Sequence, residues 1–148
     1  MPKAKSHIPE GLRALQPQIV TTGAQKFLDF TKAAFRAEIG GVMHGPNGVI
    51  MHSFIRIADS TLFVSDAAAG FAKPTSSNLF LYVPDVDATV KAAVSAGAKV
   101  TTPVSDMFWG DRWGMVEDPF GNVWQLATHI EDISEEEMRK RAPKPGAP

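Results

Sequence analysis

A histidine and an arginine stand four residues apart at His52 and Arg56, with Phe54 between them. If this segment is a strand, alternate side chains face the same side, so the three residues share one face. An arginine beside a histidine favours the neutral imidazole, which suits a general base or an acceptor for a ligand hydroxyl. His52 is therefore the candidate catalytic residue, although a lone histidine on a strand is more often a structural hydrogen-bonding residue.

Other strand-like segments place polar and aromatic residues at alternate positions. These shared faces hold Gln16, Gln18, Asn78, Phe80, Tyr82 and Gln125. The residues between them, such as Ile19, Leu79 and Trp124, are large and apolar. Because a half-buried strand turns its apolar side to the core, the mixed polar and aromatic set is predicted to line a ligand cavity.

The segment 106–114 is rich in aromatic and charged residues. Phe108, Trp109 and Trp113 lie within six residues, and they would either wall a pocket or seal a barrel mouth or dimer seam. Beside them, Asp106, Asp111, Arg112 and Glu117 are candidates for holding a polar ligand. Asp111 and Arg112 would equally form an exposed ion pair that pins the loop. The remaining histidines, His7, His44 and His129, are expected in solvent.

The elements that position these residues occur in the same order twice. In the first half, strands are predicted at 16–20, 38–43, 49–57 and 61–65, with a helix after 21–23. In the second half, strands are predicted at 78–83, 99–102, 112–117 and 123–129, with a helix at 85–96. This indicates an α+β domain of two βαβββ units, 14–66 and 78–130, joined by a linker at 67–77. Residues 1–13 are predicted to be a flexible tail, and 134–148 a terminal helix followed by a disordered Pro-rich tail.

Composition excludes several classes of function. The chain has 148 residues, 44% of them hydrophobic, no cysteine and a formal net charge of −1. Disulfides and thiolate chemistry are therefore excluded, and the near-neutral charge argues against nucleic acid or a membrane as a partner. Without a secretory signal or an apolar span, a cytoplasmic protein is expected. Phosphate-loop, dinucleotide and Gly-x-Ser-x-Gly motifs do not occur.

Four motifs together resemble those of the vicinal oxygen chelate superfamily, which includes glyoxalase I, extradiol dioxygenases and bleomycin-resistance proteins. They are FLDF at 27–30, YVPDVD at 82–87, EDPFGNVW at 117–124 and DMFWGDRWG at 106–114. The last of these resembles the hallmark of the PhnB-like branch. The resemblance covers about residues 14–133 and implies two βαβββ units forming an open, curled mixed sheet around a cavity, in a homodimer.

The resemblance also implies where a divalent metal would be bound. Metal-dependent members use side chains from the first, fifth and eighth strands, and the matching positions here are Gln16, Asn78 and Gln125. Three neutral carboxamides make a weak metal site, because divalent ions prefer carboxylate, imidazole or thiolate ligands. No cofactor is therefore predicted.

The sequence thus predicts a metal-free, glyoxalase-like or bleomycin-resistance-like protein that binds a small molecule. The predicted ligand-binding residues are Gln16, Gln18, Phe54, Arg56, Asn78, Phe80, Tyr82, Phe108, Trp109, Arg112 and Gln125. Two enzymes are the alternatives. One is a metal-dependent lyase, isomerase or dioxygenase, and the other is a metal-free acid–base enzyme that uses His52.

Overall fold

A computed structural model describes residues 2–146. Met1, Ala147 and Pro148, which belong to the two predicted tails, lie outside the described residues. The chain divides into two compact units, one ending at Thr75 and the other beginning at Ser76. This division falls within the segment 67–77.

The first unit contains one helix and a four-stranded mixed sheet. Its elements are β1 (Gln18–Thr21), α1 (Ala24–Phe35), β2 (Glu38–His44), β3 (Ile50–Ile57) and β4 (Ser60–Asp66). The strand order is β1-β4-β3-β2, with β1 parallel to β4 and the other pairs antiparallel. Short 3-10 turns follow β2 and β4, at Pro46–Gly48 and Ala67–Ala69.

Helix α1 buries the apolar stripe that its spacing predicts. The buried residues of the stripe include Phe27, Leu28, Ala34 and Phe35, as expected for contact with a sheet. The start of α1 is held by Asp66, whose carboxylate oxygens accept the backbone N–H groups of Ala24 at 2.8 Å and Ile50 at 2.7 Å. One side chain at the end of β4 therefore ties the helix to β3.

The second unit repeats this plan. Its elements are β5 (Asn78–Tyr82), α2 (Val86–Ser95), β6 (Lys99–Asp106), β7 (Asp111–Glu117), β8 (Val123–His129) and the additional α3 (Glu135–Arg141). The strand order is β5-β8-β7-β6, with β5 parallel to β8. Two four-stranded mixed sheets, each with its helix, confirm the predicted α+β class and the duplicated unit.

Strand β6 is longer than predicted. The expectation that it ends at Thr102 is wrong, because the strand continues through Pro103 to Asp106. Proline donates no ladder hydrogen bond, but β6 is the edge strand of its sheet and pairs only with β7. An edge strand therefore tolerates the proline that would break a central one.

The motif at 117–124 builds the hairpin between β7 and β8. Asp118 is buried and accepts hydrogen bonds from the backbone N–H groups of Phe120 and Asn122, at 2.8 and 2.9 Å. It also accepts from the indole of Trp124 at 2.9 Å. The Asn122 amide oxygen in turn accepts the N–H of Ser77 at 3.0 Å, just before β5. This motif is therefore structural.

Helix α3 is stabilised by a side-chain cap and by ion pairs along its length. The Ser134 hydroxyl accepts the N–H of Glu137 at 3.2 Å, and three i,i+4 ion pairs form, Glu135 with Arg139, Glu136 with Lys140 and Glu137 with Arg141. Within residues 2–146, no helix is long and apolar enough to cross a membrane.

Candidate functional site

The face of the second sheet that points away from α2 carries a connected set of polar and aromatic side chains. Cross-strand register pairs Asp111 with His129 and Tyr82 with Ala127, while Trp113 also pairs with Ala127. Paired residues share a face, so these side chains lie on one side of β5, β8 and β7. We call this surface the helix-free face of the second sheet.

Asp111 is the centre of this face. Its side chain is only 2% exposed, and its Oδ2 accepts hydrogen bonds from the Tyr82 hydroxyl at 2.9 Å and the Trp109 indole N–H at 3.0 Å. Its Oδ1 lies 2.8 Å from Nδ1 of His129. A buried carboxylate is costly unless donors surround it, and three donors from three different segments do so here. Asp111 therefore holds Tyr82, Trp109 and His129 together.

The electrostatics of this cluster favour the protonated forms of His129 and Tyr82. The hydrogen bond to the Asp111 carboxylate, followed by the one to Asp132, raises the pKa of His129 above its usual value. The same carboxylate raises the pKa of Tyr82, chiefly through the hydrogen bond it accepts from the phenol. Asp111 therefore favours an imidazolium and a neutral phenol, both of which donate to it.

Gly110 fixes the loop that brings Trp109 to Asp111. Its φ of +97° is a conformation that side chains rarely adopt, and a Cβ there would collide with the carbonyl oxygen of Glu131. Its own carbonyl accepts the N–H groups of Ile130 and Glu131 at 2.9 and 3.0 Å. The segment after β8 therefore packs against this loop only because residue 110 is glycine.

Aromatic rings extend the cluster across the same face. The rings of Phe80 and Tyr82 lie 5.1 Å apart, and those of Trp109 and Trp113 lie 5.6 Å apart. Phe108 contacts Trp109 edge to face. Phe80 is 47% exposed and Tyr82 57% exposed, which is unusual for large aromatic side chains within a sheet. These rings offer flat surfaces on which a planar molecule can stack.

Two of the three carboxamides at the implied metal positions are engaged in other hydrogen bonds. Gln16 precedes β1, and its amide group makes two hydrogen bonds with the backbone of Arg13, at 2.6 and 2.8 Å. The amide oxygen of Gln125 accepts the Trp113 indole N–H at 3.3 Å, and Asn78 is at the first position of β5. Within residues 2–146, no group of three or more His, Cys, Asp or Glu side chains could hold an ion. Two neutral amides already engaged with N–H groups do not fit a divalent metal.

The first sheet has its own helix-free face, which carries the candidate catalytic histidine. His52, Phe54 and Arg56 alternate along β3 with the buried Ser53, Ile55 and Ile57, so the predicted sharing of one face is confirmed. The His52 ring contacts Phe63 edge to face at 4.8 Å. The Phe54 ring covers Gly40 and Gly41 of β2, where a Cβ would collide with it. Gln18 donates to the Ser65 hydroxyl at 3.1 Å.

Arg112 is not part of the aromatic face. It pairs with Thr128 across β7 and β8 and points toward the α2 side, opposite to Trp113. Its guanidinium binds Asp87 of α2 at 2.7 and 3.0 Å and Asp106 at 2.9 Å. The expectation of an Asp111–Arg112 ion pair is therefore wrong, because adjacent strand residues face opposite sides.

Sequence reasoning missed the contacts of His129 and the role of Asp111. His129 was expected in solvent, and its side chain is 49% exposed, but both of its ring nitrogens also contact carboxylates. Counting by twos from Gln125 along β8 does place His129 on the same face, so alternation was a usable signal. The contact between His129 and Asp111 depends on the register of β7 against β8, which the sequence does not reveal.

Comparisons with known proteins identify the family to which this chain belongs. Residues 19–126 match the Glyoxalase/Bleomycin resistance protein/Dioxygenase superfamily. The chain belongs to this superfamily.

Two relatives illustrate the similarity in sequence. The uncharacterized protein Mb0911c of Mycobacterium bovis is 35% identical over 136 residues, covering 85% of this chain and 90% of its own length. The uncharacterized protein Rv0887c of Mycobacterium tuberculosis is also 35% identical, over 85% of this chain and 80% of its own length.

Solved structures support the fold. TioX from Micromonospora sp. ML1 is 20% identical with a TM-score of 0.67, covering 79% of this chain and all of that chain. A gene product of Arabidopsis thaliana is 26% identical with a TM-score of 0.63, covering 78% of this chain and 98% of that chain.

Proposed function

We propose that this chain binds a small molecule on the helix-free face of the second sheet and that it does so without a resident metal. The observation that carries the proposal is an aromatic set, the exposed Phe80 and Tyr82 with the half-buried Trp109 and Trp113, built around the buried carboxylate of Asp111. Exposed aromatic side chains lose hydration when a flat ligand stacks on them, and this provides affinity. The carboxamides of Gln125 and Asn78 supply hydrogen bonds for orientation.

The rigidity of the aromatic set supports binding rather than a purely structural role. Tyr82 and Trp109 are fixed by hydrogen bonds to one carboxylate, and Trp113 is fixed by the amide of Gln125. Side chains that are already ordered lose little conformational entropy when a ligand arrives. The face is thus preorganised for a planar molecule.

The test uses 2-naphthamide, a flat neutral probe, and indole fluorescence. We expect Phe80→Ala to weaken its binding about tenfold, which corresponds to the loss of one buried aromatic contact. Phe71→Ala is the matched control, since Phe71 is also an exposed phenylalanine but lies in the first unit. Equal effects of the two substitutions, or no binding to the unmodified chain, would overturn the proposal.

Metal independence has its own test. Ions that bind the folded state raise its melting temperature by mass action. We expect millimolar Ni²⁺, Zn²⁺, Fe²⁺ or Mn²⁺ to leave the melting temperature unchanged and elemental analysis to find no stoichiometric ion. A shift that disappears in Gln125→Ala would instead support the metal-dependent lyase, isomerase or dioxygenase.

A homodimer, a cytoplasmic location and membership of the PhnB-like branch complete the proposal. The family resemblance supports the homodimer and the branch. Light scattering of the purified chain tests the first, with twice the 16.0 kDa mass as the expected result. A monomeric mass at micromolar concentration would contradict it.

A further inference from the structure

His129 is anchored at one ring nitrogen and accessible at the other. Nδ1 contacts Asp111, which is 2% exposed and held by two further donors, so this contact is fixed. The imidazole ring itself is 49% exposed. The Asp111 carboxylate therefore sets the orientation of the ring and turns Nε2 outward.

The group that now contacts Nε2 is weakly held. Oδ1 of Asp132 lies 2.9 Å from Nε2, but the Asp132 side chain is fully exposed. Water still solvates such an exposed carboxylate, and salt screens its attraction to the imidazole. The contact between Asp132 and His129 therefore contributes little free energy. A ligand oxyanion can replace Asp132 at little cost.

Few other charges act on this imidazole. Asp111 approaches from β7, and Asp132 approaches from the segment after β8. Tyr82 on β5 reaches it only through the shared Asp111 carboxylate and remains a neutral phenol. The nearby Glu131 is engaged with Arg141 in two hydrogen bonds, at 2.8 and 3.0 Å. The accessible Nε2 of His129 is therefore available to an incoming anion.

We infer that His129 recognises an acidic oxygen of the ligand, and that the ligand is a flat aromatic carboxylate whose carboxylate replaces that of Asp132 on Nε2. The inference rests on the proposed function, because the same Asp111 side chain that orients His129 also holds Tyr82 and Trp109 of the aromatic face. A ligand stacked on those rings lies beside the imidazole. Asp132 acts as a displaceable counter-ion, and Asp111 is the positioning residue.

The test compares 2-naphthoate with its neutral amide on the full chain at pH 6. Charge-assisted hydrogen bonds are stronger than neutral ones, so we expect the carboxylate to bind about tenfold more tightly than the amide. In His129→Asn, which keeps an N–H close to the position of Nδ1, this preference should disappear while amide binding remains. In Asp132→Asn, carboxylate binding should improve about threefold with amide binding unchanged, since a competing anion is removed.

The outcomes separate the inference from the proposed function. If 2-naphthoate and its amide bind equally and neither His129→Asn nor Asp132→Asn changes binding, the inference is overturned. The proposed aromatic binding site is not affected by that result. Failure of both probes to bind overturns the proposed function itself. A preference for the carboxylate that survives in His129→Asn also overturns the inference, because the recognising cation must then be another residue.

Discussion

The two sheets share one topology but use their helix-free faces differently. In the first sheet, this face carries a neutral hydrogen bond between Gln18 and Ser65, and the acidic Asp66 anchors backbone N–H groups. In the second sheet, a buried carboxylate gathers a phenol, an indole and an imidazole. The duplicated framework therefore carries a neutral polar contact on one face and a carboxylate-centred polar and aromatic cluster on the other. The difference lies in the side chains and not in the topology.

The largest effect should follow the removal of the carboxylate at the centre of the second face. Asp111→Ala leaves the Trp109, Tyr82 and His129 donors without their acceptor, so we expect the free energy of unfolding to fall by about 3 kcal/mol. The matched change in the first sheet, Ser65→Ala, removes one neutral hydrogen bond and should cost about 1 kcal/mol. Urea denaturation measures both. Equal costs would remove the contrast between the two faces.

A second contrast concerns glycines with positive φ. Gly110→Ala combines backbone strain with a collision of the new Cβ against the Glu131 carbonyl. Gly48 in the first unit also has a positive φ, +73°, but a Cβ added there would meet nothing within 4 Å. We expect Gly110→Ala to be less stable than Gly48→Ala by about 2 kcal/mol. The same denaturation experiment measures the difference. Similar stabilities of the two variants would show that the segment after β8 is not held tightly by this loop.

The smallest of these effects is the pH dependence of the His129 contact. Because the folded pKa of His129 is raised above its ordinary value of 6.5, its stabilising contribution is fully present below about pH 6.5. It is lost as the pH rises through the higher folded pKa. We expect the gap in urea midpoint between the unmodified chain and His129→Asn to shrink as the pH rises. A constant gap from pH 5 to pH 9 would mean that the imidazolium does not contribute.

Strand alternation predicted the faces of these sheets well. It correctly placed His52 with Phe54 and Arg56, and Asn78 with Phe80 and Tyr82, because side chains on a strand have a period of two. Those assignments need only local sequence.

The sequence predictions failed where a strand boundary or a side-chain contact depends on backbone hydrogen bonds or on residues distant in sequence. Gln16 lies outside β1 because its amide binds the Arg13 backbone, and β1 begins only after Pro17. The contact of Asp111 with Tyr82 joins residues 29 apart in sequence, and no local pattern encodes the register that brings them together. The candidate site depended on such contacts more than the fold did.

The most direct test of the central claim is a titration of the ¹⁵N-labelled chain with 2-naphthoate, followed by NMR. This account predicts that chemical-shift changes concentrate on β5, β7 and β8, including the indole N–H signals of Trp109 and Trp113, with little change at β3. Changes concentrated on His52 and its neighbours in β3, with the Trp109 and Trp113 signals unmoved, would contradict it.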